Sequence, residues 1–254
     1  EGLRSAREAG FRIVEPYFYA PGSLRINSHY SVASRPRYFH LRAGETRLKE
    51  AGKLLRRLGM SFSAVDAHTS LLVPEIGVPH ITKAMDAAAE LGCRIVVTDE
   101  GPVSPYWTSP DTAFDVFRTS LDHVLEHGRR RGVLLAVEPH NPLTVSEKYI
   151  TVLLESYPPE ALGINFDTGN VYLAGRDPCG MLEKLLPRVV HIHGKDIPAA
   201  MAAKRGHATG TRVGTAIGSG VVAFRGLLAL LTRKSYSGIL SVECDNLEIG
   251  RAHV

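Results

Sequence analysis

Four apolar, strand-like runs in this chain each finish with a side chain that can bind a metal ion. The side chains belong to Glu138, Asp167, His193 and Glu243, in the runs LLAVEPH, LGINFDTGN, VVHIHGKD and ILSVEC. Their separations of 29, 26 and 50 residues match the return period of a strand, a helix and a loop. Parallel strands of one closed barrel would bring them together above the carboxyl ends. Three carboxylates and one imidazole form an oxygen-rich set that suits a divalent cation.

Strand parity predicts further polar groups beside these ligands, because side chains two residues apart on a strand share a face. Asn165 shares the face of Asp167, and both His191 and Lys195 share the face of His193. On earlier strands the same rule predicts inward polar groups, namely Glu15, Asp66, His68 and Asp99. Burial of an unpaired ion costs roughly several kcal/mol. A bound cation would remove that difficulty for the four strand-end ligands.

Each of these residues also has an ordinary structural explanation. Glu138 would cap a loop, and His191 would bond a backbone carbonyl. Lys195 would pair with Asp196 or with another acid. The sequence alone leaves these alternatives open for any single residue, whereas the set of four favours a metal site.

Short apolar runs alternate with longer amphipathic stretches almost from end to end, which predicts repeated strand and helix units and a parallel sheet. The predicted strands are 11–17, 60–68, 94–100, 133–139, 161–167, 189–196 and 238–243. The predicted helices are one ending at Gly10 and 44–58, 79–91, 110–131, 146–155, 177–186 and 222–234. Ser109 and Asp177 are predicted helix caps, since each precedes a proline at a helix start.

Two longer loops, 18–43 and 197–221, follow predicted strands and are expected to act as lids over the site. The second contains HATGTRVGTAIGSG, whose glycines follow neither the dinucleotide nor the P-loop spacing. A flexible lid is therefore favoured over a phosphate site. Trp107, the single tryptophan, lies in a further loop, where it would either line the pocket or pack structurally.

The alternation predicts an α/β chain with a (β/α)8 TIM barrel fold, in one domain over residues 1–247. Only seven strands are found, so we expect the first strand to precede residue 1 and the last helix to be missing. The tail 248–254, EIGRAHV, is interpreted as non-native and excluded from the fold.

Composition is that of an ordinary globular protein, with 44% apolar residues and a net charge of +4. The densest basic cluster, Arg129 to Arg131, is explained by a helix carboxyl end, so no nucleic-acid partner is predicted. Three cysteines without CxxC spacing indicate free thiols. We find no bilayer-spanning run or secretory signal, and we predict a cytoplasmic protein without a membrane partner. Homo-oligomerisation is left open.

At these motifs the chain resembles the xylose isomerase-like TIM barrel superfamily, in particular its sugar phosphate isomerase/epimerase group. LAVEPH, FDTGN, VHIHGKD and SVE are similar to the strand ends of that group, and the likeness runs from about residue 9 to residue 246. The resemblance implies that Glu138, Asp167, His193 and Glu243 hold one divalent metal ion (Mn, Co, Mg or Zn). It also implies that Glu138 and Glu243 are the catalytic acid/base pair.

The implied activity is isomerisation or epimerisation of a keto-sugar or related polyol through an enediolate. Many relatives have histidine where this chain has Asn170, which leaves the substrate contact there uncertain. The expected substrate-binding residues, which would contact sugar or orient ligands, are Glu15, His68, Trp107, His140, Asn170, His191 and Lys195.

Three alternative functions are weighed against this one. The first is a metal-dependent lyase that dehydrates a keto-cyclitol or dehydroshikimate-like substrate on the same scaffold. The second is a non-catalytic sugar-binding barrel. The third is an apurinic endonuclease, which would need more histidine ligands and a basic DNA-binding stripe.

Overall fold

The structure is a computed structural model that describes residues 2–19, 40–42, 45–102, 109–207 and 213–243. Its strands are β1 (Ile13–Val14), β2 (Tyr17–Tyr19), β3 (His40–Arg42), β4 (Ser61–Phe62), β5 (Val65–Asp66), β6 (Ile95–Thr98), β7 (Leu134–Val137), β8 (Leu162–Asp167), β9 (Val189–Gly194) and β10 (Ile239–Val242). Its α-helices are α1 (Gly2–Glu8), α2 (Glu45–Leu58), α3 (Pro74–Glu90), α4 (Pro110–Arg131), α5 (Glu147–Ser156), α6 (Thr168–Leu173), α7 (Pro178–Leu185) and α8 (Phe224–Arg233).

The backbone divides into two compact units. Unit 1 contains the described residues up to Ala136 together with 160–162. In it β3, β2, β5 and β6 are successive parallel neighbours, and β1 pairs separately with β4. Helices α3 and α4 pack together at Gly128, where an added Cβ would lie 3.1 Å from the Met85 side chain. Glycine is needed there because a Cβ would also lie 2.6 Å from the backbone carbonyl oxygen of Val133.

Unit 2 contains residues 137–159 and the described residues from Gly163 onward. Strands β8, β9 and β10 lie side by side and parallel, with β9 in the middle. Asp167 pairs with His193, and Ser241 pairs with the same residue from the other side. This register levels the carboxyl ends of all three strands. Their alternate side chains, such as Phe166 and Ile192, are buried in a core that includes α7 and α8.

The structure confirms most of the predicted elements. Each of the seven predicted strands contains residues in β conformation, and α4 has the predicted bounds. The Ser109 hydroxyl accepts a hydrogen bond from the Thr112 amide at 3.1 Å, and Asp177 caps α7 through two amides. Both side chains satisfy amides that lack partners within their helices. None of the described helices is long and apolar enough to cross a membrane.

Two predictions of local structure were wrong, and one helix was missed. The segment 18–43 is not entirely loop, because it includes the end of β2 and all of β3. Helix α3 begins at Pro74, five residues before the predicted start, because a proline is well tolerated in the first turn. The short helix α6 was not predicted, since six residues cannot display helical periodicity. The predicted tail 248–254 lies outside the described residues.

Candidate metal and active site

The strand ends of unit 2 bring three of the predicted ligands, Glu138, Asp167 and His193, close together and place the fourth, Glu243, beside His193. The Nδ1 atom of His193 lies 3.1 Å from Oε2 of Glu138 and 3.2 Å from Oε2 of Glu243. Ligand atoms of Glu138, Asp167 and His193 all lie within 4.8 Å of one another. Glu138, Asp167 and His193 are buried, while the Glu243 side chain keeps 21% of its exposure. Such spacing is that of atoms able to contact a single cation.

The FDTGN motif builds one wall of this site at the junction of β8 and α6. Asp167 caps the helix, and its Oδ1 accepts the Asn170 backbone amide at 2.7 Å. The Asn170 side-chain amide donates to Oδ2 of Asp167 and to Oε1 of Glu138, both at 2.9 Å. Asn170 therefore holds two ligand carboxylates together. The structure brings this predicted residue into the site as an organiser of the ligands.

Asn165 belongs to the site, although we did not predict it as a site residue. Its Nδ2 lies 2.7 Å from Oε2 of Glu138, and its Oδ1 lies 2.9 Å from Nδ1 of His191. It is fully buried. Strand parity with Asp167 was the available signal, because it places the Asn165 amide on the ligand face. His191 is thus in the site too, bonded through its ring to this side chain.

Lys195 pairs with another acid, Glu243, rather than with Asp196. Its Nζ donates to Oε1 of Glu243 at 2.8 Å. Thr168 anchors the Lys195 backbone, with its Oγ1 2.9 Å from both the amide and the carbonyl. Gly169 leaves room for the side-chain stem, since a Cβ there would lie 2.8 Å from Cγ of Lys195. Thr168 and Gly169 therefore position the Lys195 ammonium group beside Glu243, the fourth predicted ligand.

The charges in this cluster do not balance. Burial, followed by the charge of Glu243, raises the pKa of Asp167 well above its ordinary value. Burial alone would also raise the pKa of Glu243, but the Lys195 ammonium and a hydrogen bond with His193 outweigh it and hold that pKa well below its usual range. One ammonium offsets only one of three carboxylates. A divalent cation fits this donor set because it would compensate the remaining charge.

Of the other predicted substrate residues, His140 belongs to unit 2, as the predicted ligands do. The ring Nδ1 of His140 lies 3.9 Å from Oε1 of Glu138, which is beyond direct hydrogen bonding. Glu15 and His68 belong to unit 1, where His68 lies between two aspartates. Trp107 lies outside the described residues. The structure therefore groups Asn170, His191 and Lys195 with the ligands and leaves the remaining four as predictions.

The glycine-containing loop after β9 is filled by a carboxylate of its own chain. Oδ2 of Asp196 accepts the amides of Gly218 and Gly220 at 2.8 and 2.9 Å. Its Oδ1 accepts those of Ile197 and Val222 at 2.9 and 3.0 Å. These amides are occupied by Asp196, which agrees with the prediction that the loop is not a phosphate cradle. Part of the predicted lid, residues 208–212, lies outside the described residues.

Named relatives of this chain include dehydratases. Inosose dehydratase 2 of Bacillus cereus is 24% identical over 212 residues, which cover 75% of this chain and 70% of that protein. The inosose dehydratase of Salmonella agona is 32% identical over 100 residues, which cover 37% of this chain and 33% of that protein. A second Bacillus cereus inosose dehydratase is covered over 63% of its length.

Solved structures with the same fold include an epimerase-like protein. A D-tagatose 3-epimerase-like protein matches with a TM-score of 0.76 at 20% identity, covering 98% of this chain and 88% of that one. A xylose isomerase domain protein from Planctomyces limnophilus matches with a TM-score of 0.74 at 22% identity, with the same coverage. The family model described as xylose isomerase-like TIM barrel matches residues 3–252. The chain therefore has a TIM barrel fold and belongs to the xylose isomerase-like TIM barrel family.

Proposed function

We propose that this chain is a divalent-metal-dependent isomerase or epimerase that acts on a keto-sugar or related polyol through an enediolate. The observation that carries the proposal is the approach of two carboxylates, from Glu138 and Glu243, to the same nitrogen of His193. Glu138, Asp167 and His193 would hold one cation, with Glu243 as the fourth ligand. When bound, the cation would supply Lewis acidity, which acidifies a C–H bond between a carbonyl and a neighbouring hydroxyl.

Glu138 and Glu243 form the acid/base pair in this proposal. The Glu243 side chain is 21% exposed and that of Glu138 is 2% exposed, so Glu243 is the more accessible base. One glutamate takes the proton from carbon, and the other returns it. Return to the opposite face of the same carbon gives epimerisation. Return to the adjacent carbon gives isomerisation.

The neighbouring polar groups orient this pair. Lys195 holds Oε1 of Glu243, which keeps that carboxylate ionised and ready to accept a proton. Asn170 holds Oε1 of Glu138 and, through its other carboxylate contact, Asp167. Because these donors are buried and already aligned, little reorganisation is needed when charge develops on the substrate.

Dehydration of a keto-cyclitol is the second candidate function. The observation that favours it is the name of the curated relatives, since those at 24% and 32% identity are both called inosose dehydratase. The same proton abstraction begins that reaction, but a hydroxyl then leaves from the neighbouring carbon. The Lys195 ammonium, which donates a hydrogen bond to Glu243, would assist the departure of water.

Incubation of the Mn²⁺-loaded protein with keto-sugars and keto-cyclitols in D₂O tests both candidates. Isomerase or epimerase activity predicts one deuteron gained on carbon with no water lost, as seen by mass spectrometry. Dehydratase activity predicts loss of one water. A chelator must abolish either result. Binding of sugars without exchange or water loss across the panel would instead support a sugar-binding barrel and contradict the proposal.

A further inference from the structure

We propose that Asn165 is a positioning residue that sets two features of the site at once: the orientation of the Glu138 carboxylate and the tautomer of His191. The inference rests on the proposed function in one respect, namely that Glu138 is a ligand and base. Its geometric part concerns the protein alone. Asn165 lies on β8 and is paired in register with His191 on β9, so the two side chains share one face of the sheet.

The contacts of Asn165 determine which way its amide points. An ionised carboxylate only accepts hydrogen bonds, so the atom 2.7 Å from Oε2 of Glu138 must be the NH₂ group. The carbonyl oxygen then faces Nδ1 of His191 at 2.9 Å. Since that oxygen can only accept, His191 must carry a proton on Nδ1. The chain of contacts therefore runs from the Glu138 charge to the imidazole tautomer through one side chain.

Asn165 and Asn170 together hold Glu138 by both oxygens. Asn170 donates to Oε1 at 2.9 Å, whereas Asn165 donates to Oε2 at 2.7 Å. Oε2 is also the oxygen that lies 3.1 Å from Nδ1 of His193. Asn165 therefore acts on the oxygen that faces the proposed cation. Loss of its donor would release that oxygen to rotate, and metal affinity would fall.

The chemistry of the position excludes simple replacements. Aspartate would keep an acceptor for His191 but would bring a second carboxylate to Oε2 of Glu138. Leucine has a similar size but would leave Glu138, His191 and His193, which lies 3.1 Å from the Asn165 Nδ2, without this partner. The two replacements thus separate the two duties of Asn165, because only leucine removes the acceptor that determines the tautomer.

The test uses the full chain labelled with ¹⁵N-histidine. Two-bond ¹H–¹⁵N NMR of the metal-free protein reports the His191 tautomer, with its signals assigned from a His191→Gln variant. Wild type and Asn165→Asp are expected to show the proton on Nδ1, and Asn165→Leu is expected to shift toward Nε2. Titration with Mn²⁺, followed by electron paramagnetic resonance, is expected to give a Kd about 10- to 100-fold higher for Asn165→Leu.

Ile164→Val is the matched control. Ile164 is a fully buried residue of β8 that packs in the apolar core rather than among the ligands. The Ile164→Val substitution should leave both the His191 tautomer and the Mn²⁺ affinity unchanged. Circular dichroism checks that each variant is folded. A wild-type proton on Nε2, or a leucine variant with unchanged tautomer, would overturn the His191 half of the inference. An unchanged Mn²⁺ affinity in that variant would overturn the Glu138 half. Failure of the wild type to bind Mn²⁺ would contradict the proposed function instead, and the tautomer would still test the contact with His191.

Discussion

Two clusters of acidic and imidazole side chains lie at strand ends, one in each unit. In unit 1, His68 contacts Asp66 through Nε2 at 3.3 Å and Asp99 through Nδ1 at 3.4 Å. In unit 2, two carboxylates instead approach the same atom, Nδ1 of His193. The first arrangement places acids against opposite edges of one ring. The second directs them to one point.

The difference shows that residue type and strand-end position do not by themselves direct acidic side chains to one atom. A histidine between two aspartates, once protonated, offsets part of their charge within the unit 1 cluster. In unit 2 a third carboxylate, that of Asp167, adds charge that the chain does not fully compensate. Carboxylates that converge on one atom, together with uncompensated negative charge, indicate a position suited to a cation.

The largest expected effect tests whether the two clusters differ in catalysis. Glu243→Gln removes a proposed base but keeps the side-chain shape, so we expect kcat to fall about 1000-fold. Steady-state kinetics on a substrate identified in D₂O measure it. The matching change in unit 1, Asp66→Asn, is expected to lower kcat less than about tenfold. Equal losses in the two variants would remove the distinction.

The next prediction concerns a second histidine of unit 1, His80. His80 is buried, neither ring nitrogen has a hydrogen-bond partner among the described residues, and its ring packs against Phe18. Burial, aided by Lys83, lowers its pKa to about 4. The unfolded chain therefore binds more protons between about pH 6.5 and 4. Stability from this group is complete at neutral pH and is lost as pH falls, by about 3 kcal/mol at pH 4.

Urea unfolding at pH 7 and pH 4 measures that loss. His80→Leu should remove about 3 kcal/mol of the wild-type pH dependence, because leucine does not titrate. Leu228→Ala, a change at an exposed residue of α8 that does not titrate, serves as the control and should leave the dependence unchanged. Parallel pH profiles for wild type and His80→Leu would contradict the assignment.

The effect of substitutions on Mn²⁺ binding should also distinguish the two clusters, by a free energy slightly smaller than that of the His80 effect. Asp167→Asn removes a ligand charge, and we expect the Kd for Mn²⁺ to rise about 100-fold, or about 2.7 kcal/mol. Asp99→Asn, the equivalent change beside His68, should alter the Kd less than about threefold. Isothermal titration calorimetry provides the measurement. A comparable loss in Asp99→Asn would mean that both clusters serve the cation.

The smallest expected effect is a gain in stability of the metal-free protein, whereas the preceding predictions are losses. Without metal, the raised pKa of Asp167 means that its charged form destabilises the folded state. Stability from this group is present below its ordinary pKa of 3.8 and is lost as pH rises through the raised value. Asp167→Asn should therefore stabilise the chelated protein by about 1 kcal/mol at pH 8 and by less at pH 4. Thermal unfolding in EDTA at both pH values measures the difference. Destabilisation of Asp167→Asn at pH 8 would contradict the proposed excess of negative charge.

Much of the fold was predictable because long elements display their period. The 22 residues of α4 give several turns of apolar spacing, a proline start and a capping serine, and its bounds were predicted correctly. The three residues of β3 show no period and are strand only because β2 pairs with them. Asn165 likewise could be recognised as a site residue only from its tertiary partners, because an asparagine within an apolar strand is common and does not by itself indicate a site.

The amino-acid sequence by itself determined the succession of strands and helices and the four acidic and imidazole residues at strand ends. Local periodicity and composition suffice for these, because each depends on neighbours along the chain. Only the tertiary structure decided that Lys195 binds Glu243, that Asp196 fills the glycine loop and that Asn165 joins Glu138 to His191. Those contacts join residues 22 to 48 positions apart, so they depend on strand register and packing rather than on local pattern.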